Sequence, residues 1–321
     1  METLLSVAFD NLSSYDGPKV KKGLRQVEGL LAQICLSAHA ANRNKANGRR
    51  SRSASPTSPN QQKQQTPPST PAGAAKTKQK PSFPLSDLSG DAAFREFFKL
   101  QDGFQWNIAM RLIQTLDRLL AKSDDGSMDL LMLSALDSLQ GVLLLHPPSR
   151  LLFSREQSMN LLLDLLEPVN CPAIQAATLL VLVVALLETP RNTRAFENLD
   201  GLLTVSSIFK SRSTARDVKF KTMEFLYFYL MPETPSIPRA GSDGSGAAAL
   251  LQRSPSKLGR AFDNNNRKRR GSDDDDRSVV SADDFTLNQL VKQEMLRRHL
   301  PNVDELVKDL QQYAPFGGAV A

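Results

Sequence analysis

Apolar side chains in the middle of this chain recur at a fixed interval. Between Phe104 and Met231 a spacing of 43 residues links Leu116 to Met159 and Leu202, and Leu119 to Leu162 and Val205. The same spacing links Leu139 to Leu182 and Phe225, and Leu143 to Leu186 and Tyr229. Inside each interval the apolar positions step by three and four residues, the mark of a helix with one buried face. Each interval holds two such stretches, so each reads as a pair of helices. The first covers 104–145 and turns at 122–126; the second covers 146–188; the third covers 189–231. In the second, Ser154 and Gln157 have the spacing of a capping box, and Pro172 suits the first turn of the following helix. That helix, AIQAATLLVLVVALLE, has only Gln175 and Thr178 as polar interior residues, a composition that predicts burial on all sides. In the third, Gly201 separates a short helix from Leu202 to Lys210, and the aromatic helix RDVKFKTMEFLYFYL closes the series.

A period of about 40 to 47 residues built from two or three helices is that of armadillo and HEAT solenoids, whose units pack on their neighbours. The expected fold is therefore all-α, an armadillo/HEAT-like right-handed stack of helix pairs with disordered insertions. Such a stack leaves an extended groove instead of an enclosed pocket, which favours binding over catalysis. Two N-terminal helices join this core, one carrying Leu4, Leu5, Ala8, Phe9 and Leu12, the next carrying Val20, Leu24, Val27, Leu31, Ile34 and Cys35 after the Gly17-Pro18 break. Ser86 or Asp91 is the candidate cap for a helix with Phe94, Phe97, Phe98 and Leu100. Near the C-terminus, DDFTLNQLVKQEMLRRHLPNVDELVKDLQQY predicts two short amphipathic helices split at Pro301, with Thr286 and Gln289 at capping-box spacing. The chain divides into N-terminal core helices (1–41), a disordered basic Ser/Pro/Gln-rich insertion (42–82), the helical repeats (83–231), a disordered linker (232–282) and C-terminal amphipathic helices (283–321) that read as a tethered docking element.

Charge sharpens this division. The net charge is +6, yet 42–81 carries +9 and 239–282 carries +3, leaving −6 for the remainder. The folded part is mildly acidic and lacks the basic face of a nucleic-acid binder. The first insertion has no aromatic and almost no aliphatic side chains, so it cannot offset its ordering entropy. Cys35 and Cys171 are isolated in apolar helical sequence and read as reduced core residues of an intracellular protein. The opening METLLSVAFDNLSS is unlike a signal peptide. The longest apolar run, 176–187, is twelve residues, short of the roughly 18 that span a bilayer.

HPPSRLLFSREQSMNLLLDLLE, followed by TPRNTRAFENLDGLLTVSSIFKSRSTARDVKFKTMEFLYFYLMPETP, resembles the fungal cell division control protein 14 family of the septation initiation network, which is distinct from the dual-specificity phosphatase of the same name. The resemblance extends from METLLSVAFDNLSS through the repeats and includes the closing NVDELVKDL and APFGG. It implies a non-catalytic partner of a sterile-twenty-like protein kinase, acting in the cytoplasm, at the cytoskeleton and the spindle pole body. That partner would promote the kinase's activity or placement for septum formation and cytokinesis.

No enzyme motif competes with this expectation. The phosphatase chemistry needs an Arg shortly after a nucleophilic Cys, and Ala40 and Ala176 stand five residues beyond the two cysteines. A kinase's Gly-rich loop, strand Lys and paired Asp residues are missing from the sequence. His39, His146 and His299 are scattered, and His146 before Pro147-Pro148 reads as a helix-end residue instead of a metal ligand. The expectation is no enzyme, no cofactor, no metal, no small-molecule substrate and no membrane span. The alternative is a nucleic-acid-associated or general cargo-binding helical-repeat adaptor. RRSR at 49–52 and RKRR at 267–270 could contact phosphates, but no aromatic side chains interleave with them as a stacking platform requires.

Candidate partner-binding residues fall in two places. Lys221, Glu224 and Phe228 share the polar arc of the last repeat helix, where an aromatic among charges suits an interface anchor or packs under the C-terminal helices. Leu290, Leu306 and Leu310 form the apolar face of the C-terminal helices, suited to a groove on the kinase or on this chain itself. Ser55, Ser58, Thr66, Thr70, Thr234 and Ser254 precede proline, and Ser272 lies between arginines and aspartates, so all seven are candidate phosphorylation sites. Each phosphate adds about −1.5 to −2 charge, so four in the first insertion would nearly cancel its basic excess.

Overall fold

A computed structural model describes residues 1–50, 88, 90–122, 126–233 and 285–313, with the backbone alone over 37–50 and 309–313. The described residues form twelve α-helices and short 3₁₀ segments, with no strand among them. In chain order the helices are α1 (Glu2–Leu12), α2 (Gly17–Arg50), α3 (Ala92–Asp102), α4 (Ile108–Leu120), α5 (Asp129–Leu145), α6 (Glu156–Leu165), α7 (Pro172–Leu186), α8 (Pro190–Asn198), α9 (Gly201–Lys210), α10 (Arg216–Leu230), α11 (Gln289–Arg297) and α12 (Val303–Tyr313). The all-α expectation holds.

The helices stand in two rows. α2, α5, α7 and α10 pack side by side in that order, and α1, α4 and α6 form a second row that continues into α8 and α9. Across the rows α1 packs on α2, α4 on α5, α6 on α7 and α9 on α10. The 43-residue register lies between these rows. All twelve side chains that define it are buried, from Leu116, Met159 and Leu202 in one row to Leu143, Leu186 and Tyr229 in the other. At the N-terminal end α1 and α2 meet so closely that a Cβ on Gly23 would lie 2.9 Å from the Leu12 backbone nitrogen. Only glycine permits that approach.

The turns between units repeat as well. His146 (φ −131°, ψ 80°) and Thr189 (φ −133°, ψ 75°) adopt the same backbone conformation, and each is followed by a proline that starts a helical segment. Phe153 and Phe196, one interval apart, are both fully buried. A polar ladder runs along these turns. Asn107 donates through Nδ2 to the Gln101 carbonyl (2.7 Å) and to Ser149 Oγ (3.0 Å). Arg150 donates to the Leu143 and Leu187 carbonyls (3.2 and 3.0 Å). Asn192 Nδ2 donates to the Arg150 and Ala185 carbonyls at 2.7 and 2.6 Å. Arg150 and Asn192 thereby satisfy carbonyls at the ends of α5 and α7, and Asn107 one at the end of α3, that would otherwise be left without a donor. His146 caps α5, with Nδ1 2.8 Å from Ser149 Oγ, Nε2 3.0 Å from Asp102 Oδ1 and its ring edge-on to Phe98. It is the helix-end residue that its Pro-Pro context suggests.

Several local expectations need correction. Leu4 of α1 is exposed and lies outside the core. α2 continues past Ala41 to Arg50, because no proline interrupts it there. Ser154 does not cap α6: its hydroxyl donates to the Leu151 carbonyl of the 3₁₀ segment Pro147–Ser154, and Arg155 occupies the N-cap. α11 starts two residues later than the Thr286–Gln289 spacing predicts, with Asn288 accepting from the Val291 N–H at 2.9 Å. Cys35 is exposed and Cys171 is half-buried at the N-cap of α7, so neither is a core thiol. α7 is not buried on all sides. α5 and α10 cover its flanks and the second row covers one face, so Ala176, Ala177, Leu180 and Val183 stay half-exposed on the fourth. Asp91 does cap α3, accepting from the Ala93 N–H at 2.7 Å, and Pro172 does open α7. No single described helix is long and apolar enough to cross a membrane.

Candidate partner-docking surface

α10 ends the row, so its outer flank has no further repeat to cover it. α11 and α12 take that place. Leu296, Leu300 and Val303 are buried in this contact, and Met295, Leu306 and Val307 pack half-buried against the same core. The C-terminal helices therefore lie on this chain's own last repeat helix.

A buried group of ionisable side chains fastens them. Arg194 of α8 reaches Glu197 Oε1 at 3.0 Å and Glu233 Oε1 at 2.5 Å. From α11, Lys292 extends its ammonium to within 3.5 Å of Glu233 Oε1, donates to the Met231 carbonyl at 3.0 Å and stands 4.7 Å over the Tyr229 ring. Tyr229 donates its hydroxyl to Glu197 Oε1 at 2.6 Å, and Glu233 Oε2 accepts the Leu287 N–H at 3.0 Å. Arg191 lies 6.0 Å from the Phe285 ring and covers the start of the segment. The side chains of Glu197, Glu233 and Lys292 are each less than a tenth exposed. Two cations face two carboxylates, so the group is neutral as a whole. Burial raises the Glu197 carboxyl above its ordinary range, against the pull of the Tyr229 hydrogen bond and the Arg194 charge. Burial lowers the Lys292 ammonium, with the Glu233 charge opposing. Burial, reinforced by Glu197, also pushes the Tyr229 phenol up. Arg194 Nε and Nη1 are buried without a partner. The geometry locks one segment to another; its members are engaged with each other and with carbonyls.

The predicted partner-binding residues Lys221, Glu224, Phe228, Leu290 and Leu306 come to this end of the molecule but do different things. Lys221 and Glu224 form an exposed ion pair at 2.7 Å. Phe228 is half-buried, its ring centroid 6.4 Å from that of the buried Phe225. Leu306 is half-buried against the core, whereas Leu290 is 71% exposed and turned away from it. Leu310 lies on α12 where only the backbone is described. Ser55, Ser58, Thr66, Thr70, Thr234, Ser254 and Ser272 lie outside the described residues. The apolar side chains left outward at the junction are Leu290, Val291 and Met231, with Phe220 further up α10. Sequence reasoning missed Arg194, Glu197, Tyr229, Glu233 and Lys292 as a unit, since the α11 segment meets its partners across 54 to 61 residues of chain.

Fold and junction together define a class: an all-helical protein of successively packed helix pairs, closed at one end by its own C-terminal segment. The family model described as "Cell division control protein 14, SIN component" matches residues 1–316, and the chain belongs to that family, whose members are components of the septation initiation network in cell division. Cell division control protein 14 of Schizosaccharomyces pombe is 33% identical over 149 residues, which cover 44% of this chain and 62% of that relative. The match thus spans less than two thirds of the relative's length. No solved structure matches the chain.

Proposed function

We propose that this chain is a non-catalytic regulatory or scaffold subunit that binds a sterile-twenty-like protein kinase of the septation initiation network. It promotes that kinase's activity or localisation at the spindle pole body, so that the septum forms and cytokinesis completes. The observation that carries this is membership of a septation initiation network family by a chain of stacked helix pairs. The two rows, kept in register by a 43-residue period, support an armadillo/HEAT-like right-handed stack, an architecture that presents extended surfaces to protein partners. The junction of α10 with α11 and α12 supplies outward apolar side chains at the end of the stack, and phosphorylation at the proline-directed positions would adjust the charge of the basic segments. Affinity purification of the tagged chain from mitotic cells, with quantitative mass spectrometry and a kinase assay on the eluate, tests this. One near-stoichiometric sterile-twenty-like kinase is the expected result; a broad set of cargo proteins, or nucleic acid without that kinase, contradicts it.

A further inference from the structure

The surface beneath α11 and α12 is shaped for an ammonium. Taken without those two helices, the end of the stack sets one cation, Arg194, against two carboxylates, Glu197 at 3.0 Å and Glu233 at 2.5 Å. One negative charge is left over. Three groups converge where that charge is met: Glu233 Oε1 stands 3.5 Å from the Lys292 ammonium, the Met231 carbonyl 3.0 Å and the Tyr229 ring centroid 4.7 Å. A carboxylate, a carbonyl and an aromatic face together make a socket for a lysine.

The segment that fills this socket is held as a detachable element. Lys292, Leu296 and Leu300 follow at four-residue steps, and the Leu300 N–H still bonds the Leu296 carbonyl at 2.9 Å, so the three lie on one helical face. Val303 is buried beyond Pro301, whereas Leu306 and Val307 are half-buried. Residues 234–284 separate Glu233 from Phe285, yet the Leu287 N–H returns to within 3.0 Å of Glu233 Oε2. The segment therefore reaches the end of the repeats on a tether. Burial lowers the Lys292 ammonium, so desolvation offsets part of its attraction to Glu233. An element fastened at one edge by a few side chains opens at lower free energy than the repeats it covers.

We propose that the end of the stack is a docking site for a partner protein's helix carrying Lys, with Leu four and eight residues further on, and that α11 and α12 are a strap occupying it until such a helix displaces them. The strap displays the chemistry the site requires, through its own Lys292, Leu296 and Leu300. The charge left over on Glu197 and Glu233 selects a basic anchor, and the four-residue spacing selects a helix laid along an apolar flank. A tethered strap competes at an effective concentration on the order of millimolar, so a free partner must bind the open socket more tightly than the strap does. This rests on the reading of the chain as a binding protein, and not on the partner being the kinase.

The test uses the full chain, as wild type and as Leu296→Asp, which lifts the strap without altering Arg194, Glu197, Tyr229 or Glu233. Leu300→Asp is a second strap-open chain, and thermal melts confirm that both fold. The probe is a labelled peptide of residues 285–308, followed by fluorescence anisotropy. It is expected to bind the strap-open chains at least tenfold more tightly than wild type. The same peptide with Lys292→Met should bind them at least tenfold more weakly, and so should the parent peptide once Glu233→Gln is added to Leu296→Asp. An alanine/glutamine helix that keeps only the Lys and the two Leu should bind within tenfold of the parent. Equal binding to wild type and strap-open chains, or equal binding of the Lys and Met peptides, overturns the proposal. Failure of the alanine/glutamine helix also overturns it, because the socket then reads only its own strap. So does a wild-type dimer that Leu296→Asp renders monomeric, which assigns the socket to a second copy. Loss of kinase co-purification with peptide binding intact counts against the kinase and leaves the socket standing.

Discussion

Replacing Lys292 with Met removes one charge from the buried group while keeping the side chain's length. The ammonium is 3.5 Å from Glu233 and 3.0 Å from the Met231 carbonyl, and its side chain is 3% exposed. Without it, Glu197 and Glu233 share a single cation, Arg194. Removing one partner of a buried charge group costs about 3–5 kcal/mol, because the remaining charge stays desolvated. The apolar contacts that also hold α11 and α12, chiefly Leu296, Leu300 and Val303, contribute about 1.5–3 kcal/mol each. The loss is therefore comparable with what holds the segment down, and it falls on the segment, since the repeats keep their own core. Hydrogen exchange reads this directly: amides of 289–300 should exchange about 10²- to 10⁴-fold faster in Lys292→Met, at roughly 1.4 kcal/mol per decade, while those of 132–143 hold their rates. Adding Glu233→Gln should recover a large part of the loss, because the pair is coupled. Unchanged exchange in 289–300, or an equal acceleration throughout α5 and α7, would refute the reasoning.

Three further outcomes follow from the packing. Gly201→Ala would place a Cβ 2.2 Å from the ring of the fully buried Phe196, an overpacking that costs about 1–3 kcal/mol and lowers Tm by several degrees; Phe196→Leu in the same chain should restore part of it, and an unchanged melt contradicts the contact. Asn192→Ala leaves the Arg150 and Ala185 carbonyls buried without their donor and should destabilise by about 1–3 kcal/mol in denaturant titration, whereas a cost below half a kcal/mol would contradict the ladder's role. His146 is held below the ordinary histidine range by burial, which outweighs its bond to Asp102. Such a group contributes stability that is present above its unfolded pKa of about 6.5 and lost as pH falls through the lower folded value. Between pH 7.5 and 5.5, Tm should therefore fall further in wild type than in His146→Gln; equal falls contradict this.

The sequence was most informative where a period could be read. All twelve positions of the 43-residue register are buried, and a helix pair stands wherever one was expected. Asn107, Ser149 and Asn192 follow the same interval within one residue, and they belong to the polar ladder. Burial of α7 was overestimated because composition reports how apolar a helix is, not how many neighbours it has. In a two-row stack an inner helix keeps one open side. Ser154 and Thr286 show the limit of capping patterns, since a 3₁₀ turn and a better-placed asparagine took over those helix starts. Leu290 is expected on an apolar face that suits a groove on the kinase or on this chain itself; within this chain the buried positions of its helix include Leu296 and Lys292, and Leu290 stays exposed. Lys292 could be placed only once Glu233, distant in the chain, was known to lie beneath it.

We propose that this chain binds and regulates a kinase of its network. The most direct test is titration of the purified full chain into purified sterile-twenty-like kinase of the septation initiation network, following binding by calorimetry and phosphate transfer to a protein substrate in parallel. Saturable one-to-one binding, with kinase activity or substrate engagement rising along the same curve, is the predicted result. No heat of binding and no change in activity at concentrations well above those in a dividing cell would contradict it.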